Sequence, residues 1–209
     1  MDGAGQLGGL DVDLARYIAA RLGVDTHFVT TGYDALYDAL TVGRADVIIS
    51  ALYPDPSRTQ AFTFSPAYFD AGEVLLVPDG SPVNTVTDCA GLRIALVFGT
   101  EAHVEALRWE KTLQPPPILL TYDSPDAVIA ALGEGAAGAA VVDNVAAHIA
   151  LAHIAGVRRV SPPITNEPYT VAARKEDARL IEAIGDIILE MQASGDLEVL
   201  FSRWMENPF

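Results

Sequence analysis

Residues 33–58 read YDALYDALTVGRADVIISALYPDPSR, and they spell four pieces in order. Leu36 and Leu40 share one face of a helix over 33–41, and Gly43 stops it. Residues 45–50 form a short buried strand. A proline-rich loop then opens at the carboxyl end of that strand and ends in Arg58. Ligands of open α/β sheets bind outside the carboxyl ends of strands. An arginine placed there offers a planar, permanently charged fork to a carboxylate.

The same pattern returns 92 residues later. Ala35, Leu36, Ala39, Leu40, Gly43 and Ala45 align with Ala127, Val128, Ala131, Leu132, Gly135 and Ala137, and Ile48-Ile49 aligns with Ala140-Val141. Around these segments helices and strands alternate. A helix is predicted over 10–22, closed by Gly23, and a strand over 24–30, where Val24, Thr26 and Phe28 alternate. Further strands are predicted at 62–65, 73–77, 92–98, 118–121, 139–142 and 158–161, with an extended stretch at 167–173. Helices are predicted at 101–109, 125–132, 145–154, 177–191 and 197–204. Such alternation implies right-handed crossovers and largely parallel sheets. The turn cluster Pro78-Asp79-Gly80-Ser81-Pro82 marks a boundary. The expected division is a first lobe of residues 1–77 plus 169–209 and a second of 78–168, with crossings near 78 and 168.

Composition narrows the function. Of 209 residues, half are apolar, enough to bury a core. No apolar run reaches the ~18 residues of a membrane span. The net charge of −15 argues against nucleic acid and against an anionic membrane as partners, and fits solvated acidic helix faces. Cys89 is the only cysteine, so no intrachain disulfide forms, and it reads as a small buried residue. His27, His103, His148 and His153 lack the spacing of a metal set. No phosphate-loop or dinucleotide fingerprint is present, and neither a cofactor nor a metal is expected.

Four residues suit a small zwitterion held in a cleft between the lobes. Arg58 matches a carboxylate and Asp143, after the strand at 139–142, matches an ammonium. Thr100 follows a strand and opens a helix, an anion site. Tyr33 stands at a helix start and suits a covering aromatic. Each also has a structural role open to it: Arg58 pairing with a nearby acid, Asp143 and Thr100 capping the helices that follow them.

The chain resembles the family 3 periplasmic solute-binding proteins, the polar amino-acid receptors of bacterial ABC importers. The resemblance rests on Gly9-Leu10-Asp11-Val12-Asp13-Leu14-Ala15, Tyr33-Asp34-Ala35-Leu36, Gly43-Arg44-Ala45-Asp46-Val47-Ile48, Pro56-Ser57-Arg58-Thr59 and Phe64-Ser65-Pro66-Ala67-Tyr68-Phe69. It continues through Leu92-Arg93-Ile94-Ala95 with Gly99-Thr100, Val141-Val142-Asp143, Glu167-Pro168-Tyr169 and Trp204. It implies an α/β, two-lobed, type II periplasmic-binding-protein fold, each lobe a mostly parallel sheet flanked by helices. It further implies that Arg58 and Thr100 hold an α-carboxylate and Asp143 an α-ammonium. Ser50, Ala51, Leu52 and Tyr53 would supply strand-end groups of the first lobe, with Tyr33 covering the side chain. The implied partners are an amino-acid ligand and an ABC-transporter permease. The implied location of the full-length precursor is either periplasmic or extracellular and lipid-anchored, with no signal visible in this sequence.

Two departures stand out. Tyr53 occupies a position where the family usually has a small hydroxyl residue. The family also begins with a strand ahead of the helix at 10–22, whereas only the Gly-rich residues 1–8 precede it here. The expectation is an exposed strand edge, weaker or absent ligand binding, and a strand-swapped or strand-completed dimer. Two other functions share the fold. One is a prephenate or arogenate dehydratase-like enzyme, for which Glu101 and Glu73 are the candidate acids. The other is a sensory ligand-binding domain.

Overall fold

A computed structural model describes residues 7–205; residues 1–6 and 206–209, which include most of the Gly-rich start, lie outside the described residues. The chain forms two compact units. One comprises Met1–Asp70 with Pro168–Phe209, the other Ala71–Glu167.

In the first unit, α1 (Leu10–Leu22) ends on Gly23 in the left-handed conformation, at φ 70°, a conformation glycine adopts without steric cost. Tyr33–Ala35 is a single 3₁₀ turn leading into α2 (Leu36–Thr41). Strands β1 (Val47–Leu52), β2 (Phe62–Phe64) and β3 (Phe69–Asp70) come next, and all three pair antiparallel with β9 (Pro168–Arg174), giving the order β1-β9-β2 with β3 farther along β9. Helices α6 (Ala178–Ser194) and α7 (Asp196–Met205) close the chain. Helix α7 is tied to α1: the Trp204 indole N–H donates to Asp13 Oδ2 at 3.0 Å, and the Tyr17 hydroxyl donates to Asp196 Oδ2 at 3.1 Å.

The second unit is a five-stranded sheet of order β6-β5-β7-β4-β8, built from β4 (Glu73–Pro78), β5 (Arg93–Val97), β6 (Ile118–Tyr122), β7 (Ala139–Asp143) and β8 (Val157–Val160). Its helices are α3 (Glu101–Thr112), α4 (Pro125–Gly133) and α5 (Asn144–His153). Successive strand residues point to opposite faces, and both faces are covered here. Val74, Leu76, Ala140 and Val142 pack with Val128, Leu132 and Ala147 of α4 and α5. Leu75, Val77, Ile94, Leu96 and Val141 pack with Ala102, Ala106 and Trp109 of α3. Burial on both faces accounts for strands that are apolar throughout rather than alternating. Cys89 is fully buried against α3's face, and burial pushes its thiol up to about 11, which makes it unreactive.

The 92-residue echo is exact in its hydrogen bonds. The helix-to-strand turn of the first unit has Val42 N to Asp38 O at 3.0 Å, Gly43 N to Leu40 O at 3.0 Å, and Arg44 N and Ala45 N to Ala39 O at 2.9 and 3.3 Å. The second unit repeats all four: Glu134 N to Ala130 O at 2.9 Å, Gly135 N to Leu132 O at 3.1 Å, and Ala136 N and Ala137 N to Ala131 O at 2.9 and 3.2 Å. Gly43 and Gly135 both take positive φ, 69° and 73°.

Three expectations are corrected. The strand predicted over 24–30 does not form. Alternation makes a strand only beside a partner that takes its backbone hydrogen bonds; among the described residues β1 pairs on one edge alone, with β9, and no strand flanks 24–30. Val24 is accordingly 58% exposed. The sheets are mixed rather than mostly parallel. Every pairing in the first unit is antiparallel, because β9 returns from the second unit in the opposite direction, and in the second only β5–β6 and β5–β7 are parallel. Finally, the crossings fall at 70/71 and 167/168. Strand β4, which a boundary near 78 leaves in the first lobe, belongs to the second: it is laddered to β7 on one side and β8 on the other. The Pro78 cluster is the exit of that strand.

Candidate functional site

In the first unit the candidate residues cluster at the end of β1. Ala51 adopts φ 46°, the only positive φ outside glycine among the described residues, and the register with β9 shifts between Ile48 and Leu52. A β-bulge re-aims side chains in this way, and such strain gathers at functional positions. The distortion is held from behind. Asp11, in the first turn of α1, accepts the Ala51 N–H at 2.8 Å with Oδ2 and the Tyr68 hydroxyl at 2.8 Å with Oδ1, and that hydroxyl also accepts from Ala51 N at 3.2 Å. Burial raises the Asp11 carboxyl above its usual range, and the two hydrogen bonds oppose it. The Tyr68 hydroxyl, buried beside that carboxylate, is pushed far up and stays protonated. Asp11 and Tyr68 were legible only as parts of motifs; their meeting across 57 residues has no local sequence signal.

The other first-unit candidates divide by what they still offer. Leu52 is buried in the core with Leu40, Ile48 and Phe62, and its carbonyl accepts from Thr170 at 3.3 Å, so it shapes the strand and presents no side chain. Ser50 is half-buried at the bulge. Tyr53 is exposed and meets Tyr169 edge-on at 5.2 Å. Tyr33 is 56% exposed. Arg58 pairs through Nε with Asp55 Oδ2 at 3.0 Å and lies 4.5 Å over the Tyr37 ring. Asp55, held low by Ser57 and by Arg58, also takes the Ser57 N–H at 2.9 Å. The pairing leaves the guanidinium oriented and half exposed, with its terminal nitrogens the part suited to a bidentate carboxylate.

In the second unit Asp143 is the last residue of β7, and Thr100 stands after the carboxyl end of β5, which runs parallel to it. Asp143 caps α5, its Oδ1 accepting the Ala146 N–H at 2.9 Å. Thr100 occupies the N-cap position of α3, yet its hydroxyl donates to Val97 O at 2.9 Å and makes no cap. The cap comes from elsewhere: Glu73 Oε1, at the start of β4, accepts the Ala102 N–H at 3.1 Å. Glu73 is 7% exposed, and its carboxyl is raised to about 7, first by burial and then by the charges of Asp143, Glu167 and Glu101, against the Ala102 hydrogen bond. A separate open groove of about 470 Å³ runs between α4 and α5, lined by Ile129, Val145, Ile149 and Ile154 with Asp143 at its edge. Among the described residues no group of histidine, cysteine and carboxylate side chains is placed to hold a metal, and no helix is long and apolar enough to cross a membrane.

The chain as a whole is similar to known proteins. The sequence pattern of the Bacterial extracellular solute-binding proteins, family 3, matches residues 1–207, and the chain belongs to that family. A Neisseria gonorrhoeae protein described as a probable histidine-binding protein is 26% identical over 209 residues, covering 98% of this chain and 77% of the relative. An ancestral cationic amino acid solute binding protein of solved structure is 28% identical, with a TM-score of 0.66 over 98% of this chain and 88% of the other. The unliganded, open L-cystine solute receptor of N. gonorrhoeae superposes with a TM-score of 0.79 over 98% and 85% of the two chains, at 24% identity, and shares the fold. The family is one of solute receptors rather than enzymes.

Proposed function

We propose that the solute is an amino acid, delivered to an ABC-importer permease by a receptor that is either periplasmic or extracellular and lipid-anchored. Arg58 and Thr100 take the α-carboxylate and Asp143 the α-ammonium; Tyr33 and Tyr53 contact the side chain, and Ser50 and the Ala51 carbonyl supply polar groups from the bulge. One observation carries this reading. The two units repeat a helix–turn–strand segment bond for bond, and groups of opposite charge stand at the carboxyl sides of the two equivalent strands, Arg58 in the loop that follows β1 and Asp143 as the last residue of β7. That is the charge pair of a zwitterion. The relatives described as binding histidine and cationic amino acids support the class. Among the described residues β1 pairs on one edge alone, with β9, and its other edge suits a strand from a second copy, which light scattering would register as a dimer.

Mass spectrometry of small molecules released from the denatured protein, followed by a thermal-shift survey of the common amino acids, tests the class. At least one amino acid should raise the melting temperature, and Arg58→Ala should remove the shift. Stabilisation by sugars or dipeptides with no response to any amino acid would overturn the assignment.

A further inference from the structure

We propose that Glu73 is a second acceptor for the solute's cationic end, sharing the α-ammonium with Asp143, and that binding there expels a proton from the second unit. The proposal rests on the amino-acid reading above and adds a residue and a proton to it. Glu73 is more than nine-tenths buried. Its Oε1 caps α3, but Oε2 is buried with no hydrogen-bond partner among the described residues. Buried polar atoms in native proteins are nearly always paired, and an orphan calls for a missing partner.

The surroundings specify that partner's charge. Glu73 stands directly opposite Asp143 in the β4–β7 ladder, which brings their β-carbons to about 5 Å. Glu73, Leu75 and Val77 share strand parity, as do Val141 and Asp143, so both acids fall on the α3 side of the sheet. Glu101 approaches from α3 and Glu167 from the segment before β9, and every charge acting on Glu73 is negative. Near residue 165 the contacts involve only the Glu73 backbone: Glu73 N donates to the Thr165 hydroxyl at 2.8 Å, and Ile164 N to Glu73 O at 2.7 Å. From β8, Arg159 pairs with Leu76, whose side chain lies on the opposite face, and it holds Asn144 Oδ1 at 2.8 Å; Arg158 holds the Ser81 and Val83 carbonyls. His148 of α5, the helix covering that opposite face, bonds to Asn144 O. No cation therefore reaches Oε2 from any packed element among the described residues. An ammonium carries three donors; it would satisfy Oε2 and Asp143 together. The first turn of α3, with N–H groups that have no intrahelical acceptor, remains for the carboxylate of the same molecule. In the free protein burial and three acidic neighbours hold Glu73 partly protonated near neutral pH. A cation beside it favours the ionised form, so the proton leaves to solvent.

Calorimetry with L-arginine and L-glutamine, neither of which titrates between about pH 6 and 8, tests the proposal in phosphate and Tris buffers. Wild-type affinity should fall roughly tenfold from about pH 8 to about pH 6, with about half a proton released at about pH 7. Glu73→Gln should bind with less than a twofold change across that range and release none. Carboxyl-carbon NMR gives a readout that needs no variant: the Glu73 midpoint should stand near 7 without ligand and fall below about 5.5 at saturation. Binding with no proton release, or an unchanged pH slope in Glu73→Gln, overturns the role of Glu73 while leaving the amino-acid reading intact. Absence of heat with both amino acids, with either buffer and at either pH, together with no survey hit, overturns both.

Discussion

Glu73 caps α3 from outside the helix, and the burial this requires has a pH-dependent cost. Its carboxyl is raised to about 7 from an ordinary 4.5. Between those values the folded state binds more protons than the unfolded state, so stability falls as pH rises from about 4.5 through 7 and stays lowered above it. The shift corresponds to about 3 kcal/mol at full ionisation. Glu73→Gln keeps a carbonyl for the Ala102 N–H and removes the charge. The variant should melt close to wild type at about pH 4.5 and well above it at about pH 8; an equal gap at both pH values would show that ionisation is not the cause. Tyr68 is the second informative residue. Tyr68→Phe strips a hydrogen bond from buried Asp11 and from Ala51 N–H, a loss of about 1–3 kcal/mol that chemical denaturation would measure. A denaturation midpoint identical to wild type would show the bulge at Ala51 to be held by Asp11 alone. Glu73 was visible in the sequence as a carboxylate at a strand start, but its capping role was not, because helix and strand are 29 residues apart. Thr100 shows the reverse: its N-cap position was legible, and only the structure turns its hydroxyl away to Val97.

At the level of elements, the legible part was local. Helix α1, the α2–β1 and α4–β7 segments and the strands of the second unit follow from periodicity and glycine stops. The failure at 24–30 is one of partnership: alternation describes a strand's faces, whereas its hydrogen bonds belong to neighbours that periodicity does not name. The direction of β9 was likewise hidden, since a strand returning after the whole of Ala71–Glu167 carries no mark of its orientation. Helix α6 holds a further constraint that propensity alone misreads. Gly185 sits in its middle, where alanine normally gains about 1 kcal/mol, but a β-carbon there would lie 2.9 Å from Pro66 Cδ, part of a rigid ring. Gly185→Ala should therefore destabilise the first unit by about 1–3 kcal/mol, seen as a lower denaturation midpoint; a gain in stability would mean that the Pro66 segment yields without cost. Arg174 joins three elements, donating to the Leu40 and Ala45 carbonyls at 3.0 and 2.9 Å and pairing with Asp177 at 2.7 Å. It satisfies the end of α2 where a cation is favoured.

Over the whole molecule, family membership and the duplicated segment lead to one reading: a solute receptor whose two units carry opposite charges on the carboxyl sides of equivalent strands, Arg58 after β1 and Asp143 at the end of β7. Arg58 and Asp143 were visible in the sequence as an arginine and an aspartate near strand ends, where pairing with an acid and helix capping are also open to them; both of those structural contacts form, with Asp55 and with the Ala146 N–H. The supporting groups were not visible, because Asp11, Tyr68, Asp55 and Tyr37 act through contacts that only folding creates. Zwitterion capture by Arg58 and Asp143 is the central proposal. Its most direct test is calorimetric titration of the wild type, Arg58→Ala and Asp143→Asn with the amino acid that the survey selects. One molecule should bind per chain, and each variant should lose at least tenfold in affinity while keeping the wild-type fold by circular dichroism. Undiminished binding by both variants would contradict the account.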